Sequence, residues 1–130
     1  MNKVFVLALF ISLFSCEQEI DCRKFKEGHF LIKPDSLPNR YYFNVYRDNN
    51  EQLEIDQNGK RTVVYVKWVS DCSYEVRSIP DKGNDFKSLN DSSVVRVELY
   101  KTISDTAFYR TYVFTTRGIL PATSGKMIRL

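Results

Sequence analysis

The chain has 130 residues, the size of one domain, and its 19 basic residues nearly balance its 16 acidic residues. Because no basic patch stands out, the charge pattern excludes an electrostatic nucleic-acid interface. No segment sustains the apolar period of an amphipathic helix, so the sequence predicts a fold made of strands and turns.

Residues 1–15 predict a signal peptide. Lys3 supplies a positive start, and residues 4–14 form an apolar run of secretory length that is too short to span a membrane as a helix. The run ends in LFSC, residues 13–16, which resembles the lipobox of bacterial lipoproteins. That resemblance implies cleavage before Cys16, lipidation of its thiol and amino group by acyl chains such as palmitate, and a membrane anchor. The alternative is an ordinary cleaved signal peptide with an unrelated cysteine.

Residues 16–21 then form the lipidated cysteine and a short acidic tether. Acidic residues in this place resemble the surface-export signals of Bacteroidota-type lipoproteins, and the alternative is a solvated linker. The resemblance implies a protein of the bacterial cell envelope, anchored in the outer membrane on its periplasmic or outer face. Residues 22–130 remain as a single β-domain close to that membrane.

Cys22 and Cys72 are left once Cys16 is assigned to lipid. Two cysteines in an exported chain most often pair, because the compartment is oxidising and a small domain is stabilised by the cross-link. A closed loop of about 50 residues corresponds to roughly 3 to 4 kcal/mol in the chain-entropy model. The alternatives are two buried free thiols or a redox pair, and no Cys-x-x-Cys motif favours the second.

Residues 62–79, TVVYVKWVSDCSYEVRSI, predict a central β-hairpin. Val, Tyr, Trp and Thr dominate this segment, and Ser70-Asp71 supplies its turn. A three-residue turn that pairs Trp68 with Cys72 gives the hairpin one buried and one exposed face. The buried face then holds Val64, Val66, Trp68, Cys72, Tyr74 and Val76, and the exposed face holds Lys67, Ser73, Glu75 and Arg77.

Further strands are predicted on both sides of this hairpin. They cover residues 25–33, 40–47, 52–56, 93–103 and 106–116, with a short last strand at 127–130. Asn58-Gly59 is the strongest hairpin turn, residues 80–92 form the longest polar loop, and residues 118–126 form another loop. Eight locally paired strands predict an all-β fold, an eight-stranded antiparallel up-and-down meander closed as a small barrel, because closure removes both unpaired edges. The alternative is a two-sheet β-sandwich.

Gly28-His29-Phe30 resembles the Gly-x-Trp motif on the first strand of calycin-like barrels, including lipocalins, with Phe in place of Trp. In that family a basic residue from a late strand packs over the ring, which implies Arg110 or Arg117 here. Residues 22–28 and 66–75 also resemble stretches of small Bacteroidota-type lipoproteins of undefined function. These resemblances imply a fold and a location, and they imply no activity.

Catalytic and metal-binding patterns are lacking in the sequence. His29 is the only histidine, and no paired base and nucleophile accompany it. Cys22 and Cys72 lie too far apart in sequence for a zinc motif, and residues 118–126 depart from a phosphate loop in spacing and in their last residue. We therefore expect no enzyme activity, no cofactor and no metal.

Aromatic residues make up 14% of the chain, a proportion that strands and barrel cores favour. Core packing accounts for many of them, and an apolar pocket is the second interpretation. The candidates to line such a pocket are Tyr41, Phe43, Tyr65, Trp68, Tyr74 and Tyr112. Arg110 joins them if its face of the strand points inward, where it would need a carboxylate, a ring or an anionic ligand. The sequence slightly favours a surface position for Arg110.

These patterns predict a lipid-anchored, non-enzymatic barrel of the cell envelope. Its interior would hold a small apolar ligand, or its surface would bind an envelope protein partner. The alternative is a structural subunit of an envelope assembly with a solid core. The presence or absence of an interior cavity distinguishes these two hypotheses.

Overall fold

A computed structural model of the chain describes residues 19–78 and 94–130. The predicted signal peptide, the lipidation site at Cys16 and the polar loop at residues 80–92 lie outside these described residues. Among the described residues, no helix is long and apolar enough to cross a membrane.

The described residues form one short 3-10 helix and eight antiparallel strands. The helix is Arg23–Phe25, and the strands are β1 Gly28–Pro34, β2 Phe43–Asp48, β3 Glu51–Asp56, β4 Arg61–Trp68, β5 Ser73–Ser78, β6 Val94–Ile103, β7 Thr106–Thr115 and β8 Gly118–Arg129. Each strand pairs with the next one along the chain, and β1 also pairs with β8. The predicted closed meander is therefore confirmed, and the two-sheet sandwich is excluded.

The seam between β1 and β8 closes the barrel from Phe30 opposite Arg129 to Pro34 opposite Gly125. A side chain at Gly125 would overlap both the backbone carbonyl oxygen of Lys33 and the hydroxyl of Tyr109. The seam therefore requires glycine at this position, because a backbone oxygen, unlike the end of a flexible side chain, cannot move aside to make room for a Cβ atom.

The prediction of a loop at residues 118–126 and a four-residue last strand was wrong, since β8 runs from Gly118 to Arg129. Its sequence has low strand propensity, but β7 and β1 pair with it on its two sides. Pro121 lies beside a bulge opposite Thr111, a position where a missing backbone donor is tolerated. At this bulge the Thr111 hydroxyl replaces a backbone hydrogen-bond acceptor, because it accepts from the Thr123 N–H at 3.0 Å.

The central hairpin has the predicted faces but a different register. Trp68 pairs with Tyr74 rather than with Cys72, a shift of two residues. Cys72 lies in the turn, where its sulfur is bonded to Cys22 and its carbonyl accepts from the Leu99 N–H at 2.8 Å. An even shift leaves each side chain on its face, so Val66 and Tyr74 are buried as predicted.

The disulfide between Cys22 and Cys72 is confirmed. It fixes the 3-10 helix across one end of the barrel, which we call the closed end, where Phe25 is fully buried. The Phe30 ring lies 6.1 Å from that of Phe25, and Val66 and Leu99 belong to the same core. The first strand begins at Gly28, three residues later than predicted, because residues 23–25 form this helical plug.

Candidate ligand-binding cavity

The barrel encloses a cavity of about 270 Å³ above the packed closed end. Its aliphatic and aromatic wall is formed by Ile32, Pro34, Phe43, Val45, Val64, Val76, Val95, Val97 and Met127. Polar side chains come from Gln52, Glu54, Thr62, Tyr74, Tyr109, Thr111 and Thr123. An apolar cavity of about 150 Å³ suffices to hold benzene, and a few polar groups in an apolar wall are typical of small-molecule sites.

Strand alternation places the polar residues of β3 inside the barrel. Gln52 and Glu54 line the cavity, while Leu53, between them, points to the outer face. Pairing decides this orientation, because Glu54 lies opposite the buried Val45 of β2 and Gln52 lies opposite the buried Val64 of β4. The apolar residues of β3 are thus the outward ones, against the usual pattern for a half-buried strand.

Arg47 forms the charged base beneath the cavity and is only 3% exposed. Its Nε donates to Gln52 Oε1 at 2.7 Å, Nη1 to the Phe25 carbonyl at 2.7 Å, and Nη2 to the Tyr74 hydroxyl at 2.9 Å. The guanidinium also lies 4.3 Å from the Tyr74 ring centroid and 5.4 Å from that of Phe30. Among the described residues, neutral oxygens and ring faces therefore stabilise this buried cation, and no carboxylate contacts it directly.

Gln52 connects Arg47 to Glu54. Its Oε1 accepts from Arg47, and its Nε2 donates to Glu54 Oε1 at 2.6 Å. Burial raises the pKa of the Glu54 carboxyl, and the Gln52 hydrogen bond and the Arg47 charge offset part of that increase. The three side chains form a hydrogen-bonded column from the closed end into the cavity.

Two tyrosines present hydroxyls in the same interior. Burial raises the pKa of Tyr74, although the nearby Arg47 charge opposes this effect. Burial is also the main cause of the strongly raised pKa of Tyr109. Both phenols therefore keep their protons at neutral pH and remain hydrogen-bond donors.

The cavity approaches the end of the barrel opposite the 3-10 helix, which we call the mouth end. The turns that connect β1 to β2, β3 to β4 and β7 to β8 lie at this end. A second pocket of about 180 Å³ lies here against Tyr41 and the β3–β4 turn. It shares Phe43, Glu54 and Thr62 with the barrel cavity, so Glu54 lies where the two spaces meet.

The structure distributes the predicted pocket residues between these sites. Phe43 and Tyr74 line the cavity, and Tyr41 lines the second pocket. Trp68 packs at the closed end with its ring 4.8 Å from that of Tyr74. Among the described residues its indole nitrogen has no hydrogen-bond partner.

Three predicted pocket residues lie on the outer face. Tyr65 is exposed, and Arg110 pairs with Glu98 at 2.9 Å outside the barrel. Tyr112 is on the same outward face of β7, because Ala107, Tyr109 and Thr111 are the buried residues of that strand. The surface position of Arg110 agrees with the favoured interpretation, whereas Tyr65 and Tyr112 do not reach the cavity.

The predicted contact between the first-strand aromatic and a late-strand arginine was also wrong. The guanidinium over Phe30 belongs to Arg47 of β2, while Arg110 and Arg117 are exposed. Sequence reasoning missed Arg47, although its alternation with Phe43 and Val45 placed it on the inward face.

Outside the cavity, the part of the chain that the structure describes brings few reactive or metal-binding side chains together. His29 stacks on Tyr46 with ring centroids 4.2 Å apart, and its Nε2 lies 3.2 Å from Asn44 Oδ1. No cluster of three potential metal ligands occurs among residues 19–78 and 94–130.

No protein-family model matches the chain, and a search of curated proteins found no match. The architecture itself defines a class: a small eight-stranded antiparallel β-barrel around a cavity, consistent with a lipocalin-like fold. Such a barrel is compatible with a ligand-binding role or a structural role.

Proposed function

We propose that this protein is a lipid-anchored, non-enzymatic barrel of the bacterial cell envelope that holds a small apolar ligand. The observation that carries the proposal is the cavity of about 270 Å³ in the barrel interior. Its wall is mostly aliphatic, and its polar groups are few, as expected for a site that buries an apolar molecule and orients it.

The attachment point of the tether supports a defined orientation on the membrane. The Asp21 N–H donates to Thr102 Oγ1 at 3.2 Å, and Cys22 is bonded to Cys72, both at the closed end. An anchor at Cys16 would be five residues away, a reach of under about 20 Å. The closed end would then face the bilayer and the mouth end would point away, so ligand would exchange with the aqueous compartment.

The proposed absence of catalysis is supported by where the reactive side chains lie. The only histidine of the chain, His29, stacks on Tyr46 on the outer face. Inside the cavity, the Glu54 carboxylate accepts from Gln52, and Thr111 is bonded to the backbone of Thr123. These contacts suit orientation of a ligand better than general acid and base catalysis.

A structural or partner-binding role is the second candidate. Ile119 and Leu120, at the start of β8, are 60% and 58% exposed. Exposed large apolar residues contribute to protein contacts where they form a contiguous patch. This role would use the outer surface and would not require the cavity.

Native mass spectrometry of the protein from Glu19 onward, exported behind a cleavable signal peptide and purified from the envelope extract, tests the proposal. Every described contact lies within that chain. We expect a reproducible bound mass that dissociates on mild denaturation. A bare monomer would refute the ligand-holding role, and a stoichiometric protein partner would favour the second candidate.

A matched pair of β6 variants makes this experiment specific to the cavity. Val95 lines the cavity, and Val95→Phe fills part of its volume. Ile103 on the same strand is exposed, so Ile103→Phe adds a ring to the outer surface. The bound mass should be lost from Val95→Phe and retained by Ile103→Phe.

A further inference from the structure

Among the described residues, Glu54 carries the one carboxyl group that lines the cavity. Arg47 does not line the cavity, and each of its three nitrogens already donates to an acceptor. Glu54 Oε1 accepts from Gln52. Glu54 lines both the barrel cavity and the adjoining pocket at the mouth end, so its carboxyl group is where a ligand in either space would meet it.

We infer that Glu54 determines ligand specificity, so that the cavity takes an apolar molecule bearing one hydrogen-bond-donating head group, a hydroxyl or an ammonium, and rejects carboxylates. This inference rests on the proposed ligand-holding function and names the ligand class of the same site. The Glu54 carboxylate is the acceptor for the head group, and the Val64, Val76 and Val97 side chains contact the apolar body.

Rejection of carboxylates follows from like charge in the barrel interior. A ligand carboxylate beside Glu54 would place two anions together where they are screened less than in bulk water. Arg47 lies farther from the cavity than Glu54 does, because Gln52 stands between them in the hydrogen-bonded column, so a ligand anion would meet Glu54 first. A hydroxyl or an ammonium instead gains a hydrogen bond to a charged acceptor.

The size of the cavity limits the ligand. A volume of about 270 Å³ lies just below the range of roughly 300 to 1,000 Å³ that is usual for drug-sized ligands. The apolar body is therefore short, and compounds with an octyl chain are suitable probes.

Met127 provides a reporter within the cavity wall. The chain has two methionines, and the other is Met1, so the protein from Glu19 onward retains Met127 as its native methionine. Labelling its methyl group with carbon-13 allows titrations with octanol, octylammonium and octanoate to be followed by NMR at mildly alkaline pH. Toluene serves as an apolar probe without a head group.

We expect octanol or octylammonium to bind at least about tenfold more tightly than octanoate. This factor in affinity corresponds to the lower end of what a hydrogen bond to a charged group contributes. The tighter of the two identifies the head group. Glu54→Gln should remove this preference while the protein stays folded, because the new amide oxygen still accepts from Gln52. Glu51→Gln, an equal charge change at an exposed residue of the same strand, should retain the preference.

Failure of this inference is distinguishable from failure of the proposed function. If octanoate binds as well as the other two, or if Glu54→Gln keeps the preference, then Glu54 does not select the ligand, although the cavity still binds apolar molecules. If neither toluene nor any octyl compound shifts the Met127 signal, both the specificity and the ligand-holding function are refuted.

Discussion

Replacement of Arg47 by Met tests the role of the buried cation in the barrel. The substitution keeps a long apolar side chain and removes the donors to the Phe25 carbonyl, Gln52 Oε1 and the Tyr74 hydroxyl. An acceptor left unsatisfied in the interior costs about 1 to 3 kcal/mol. Removing the buried charge also removes its desolvation cost, which offsets part of that loss. We expect the free energy of unfolding to fall by about 2 to 4 kcal/mol.

Urea denaturation with the disulfide intact measures this loss. Trp68 is the only tryptophan, and its ring centroid lies 5.7 Å from the Arg47 guanidinium, so its fluorescence reports on the site. Arg110→Met is the matched control, because Arg110 is exposed and pairs with Glu98 on the outer face. The control should leave the denaturation midpoint nearly unchanged.

Two results would refute this reasoning. Equal midpoints for Arg47→Met and Arg110→Met would mean that the three hydrogen bonds contribute no net stability. Full recovery of stability by Arg47→Lys would mean that charge alone matters, because one ammonium lacks the planar geometry that serves three separate acceptors.

Four other predictions concern the cross-link, the seam, the buried carboxyl and the anchor. Cys72→Ser should lower the free energy of unfolding by roughly 3 to 4 kcal/mol, because it opens the 50-residue loop that the disulfide closes. A loss of under about 1 kcal/mol in chemical denaturation would mean that the disulfide does not stabilise the fold by closing this loop. Gly125→Ala should disrupt the β1–β8 seam and accelerate amide hydrogen exchange there, whereas unchanged protection would show that the seam adapts. The folded-state pKa of Glu54 is raised, so its contribution to stability is present at low pH and is lost as pH rises from the ordinary value of 4.5 through the folded value. The free energy of unfolding of the unmodified protein minus that of Glu54→Gln should therefore decrease as pH rises across that window. An increase would mean that burial does not raise the pKa of Glu54. Cys16→Ala should release the folded protein from membranes, and retention after a high-salt wash would refute the lipid anchor.

The sequence by itself favoured a fold made of strands, the closed meander and the cross-link, and it left a sandwich and two free thiols open as alternatives. Alternation is local, so Val64 and Val66 were assigned to the buried face even though the register of their hairpin was wrong by two residues. The Cys22–Cys72 pairing followed from the number of cysteines and the expected compartment. The assignment of buried faces and the cysteine pairing need no knowledge of which strand lies beside which.

Only the tertiary structure decided the course of β8 and the chemistry of the cavity. Gly118, Pro121 and Gly125 weaken strand propensity, and β8 exists because two neighbouring strands satisfy its backbone. Arg47 and Glu54 are typical surface residues by type. Their inward position depends on pairing between β2 and β3 and on the acceptors that Phe25, Gln52 and Tyr74 bring together from distant parts of the chain. A buried charge is stable only where such partners converge, and convergence is a property of the folded barrel rather than of any local segment.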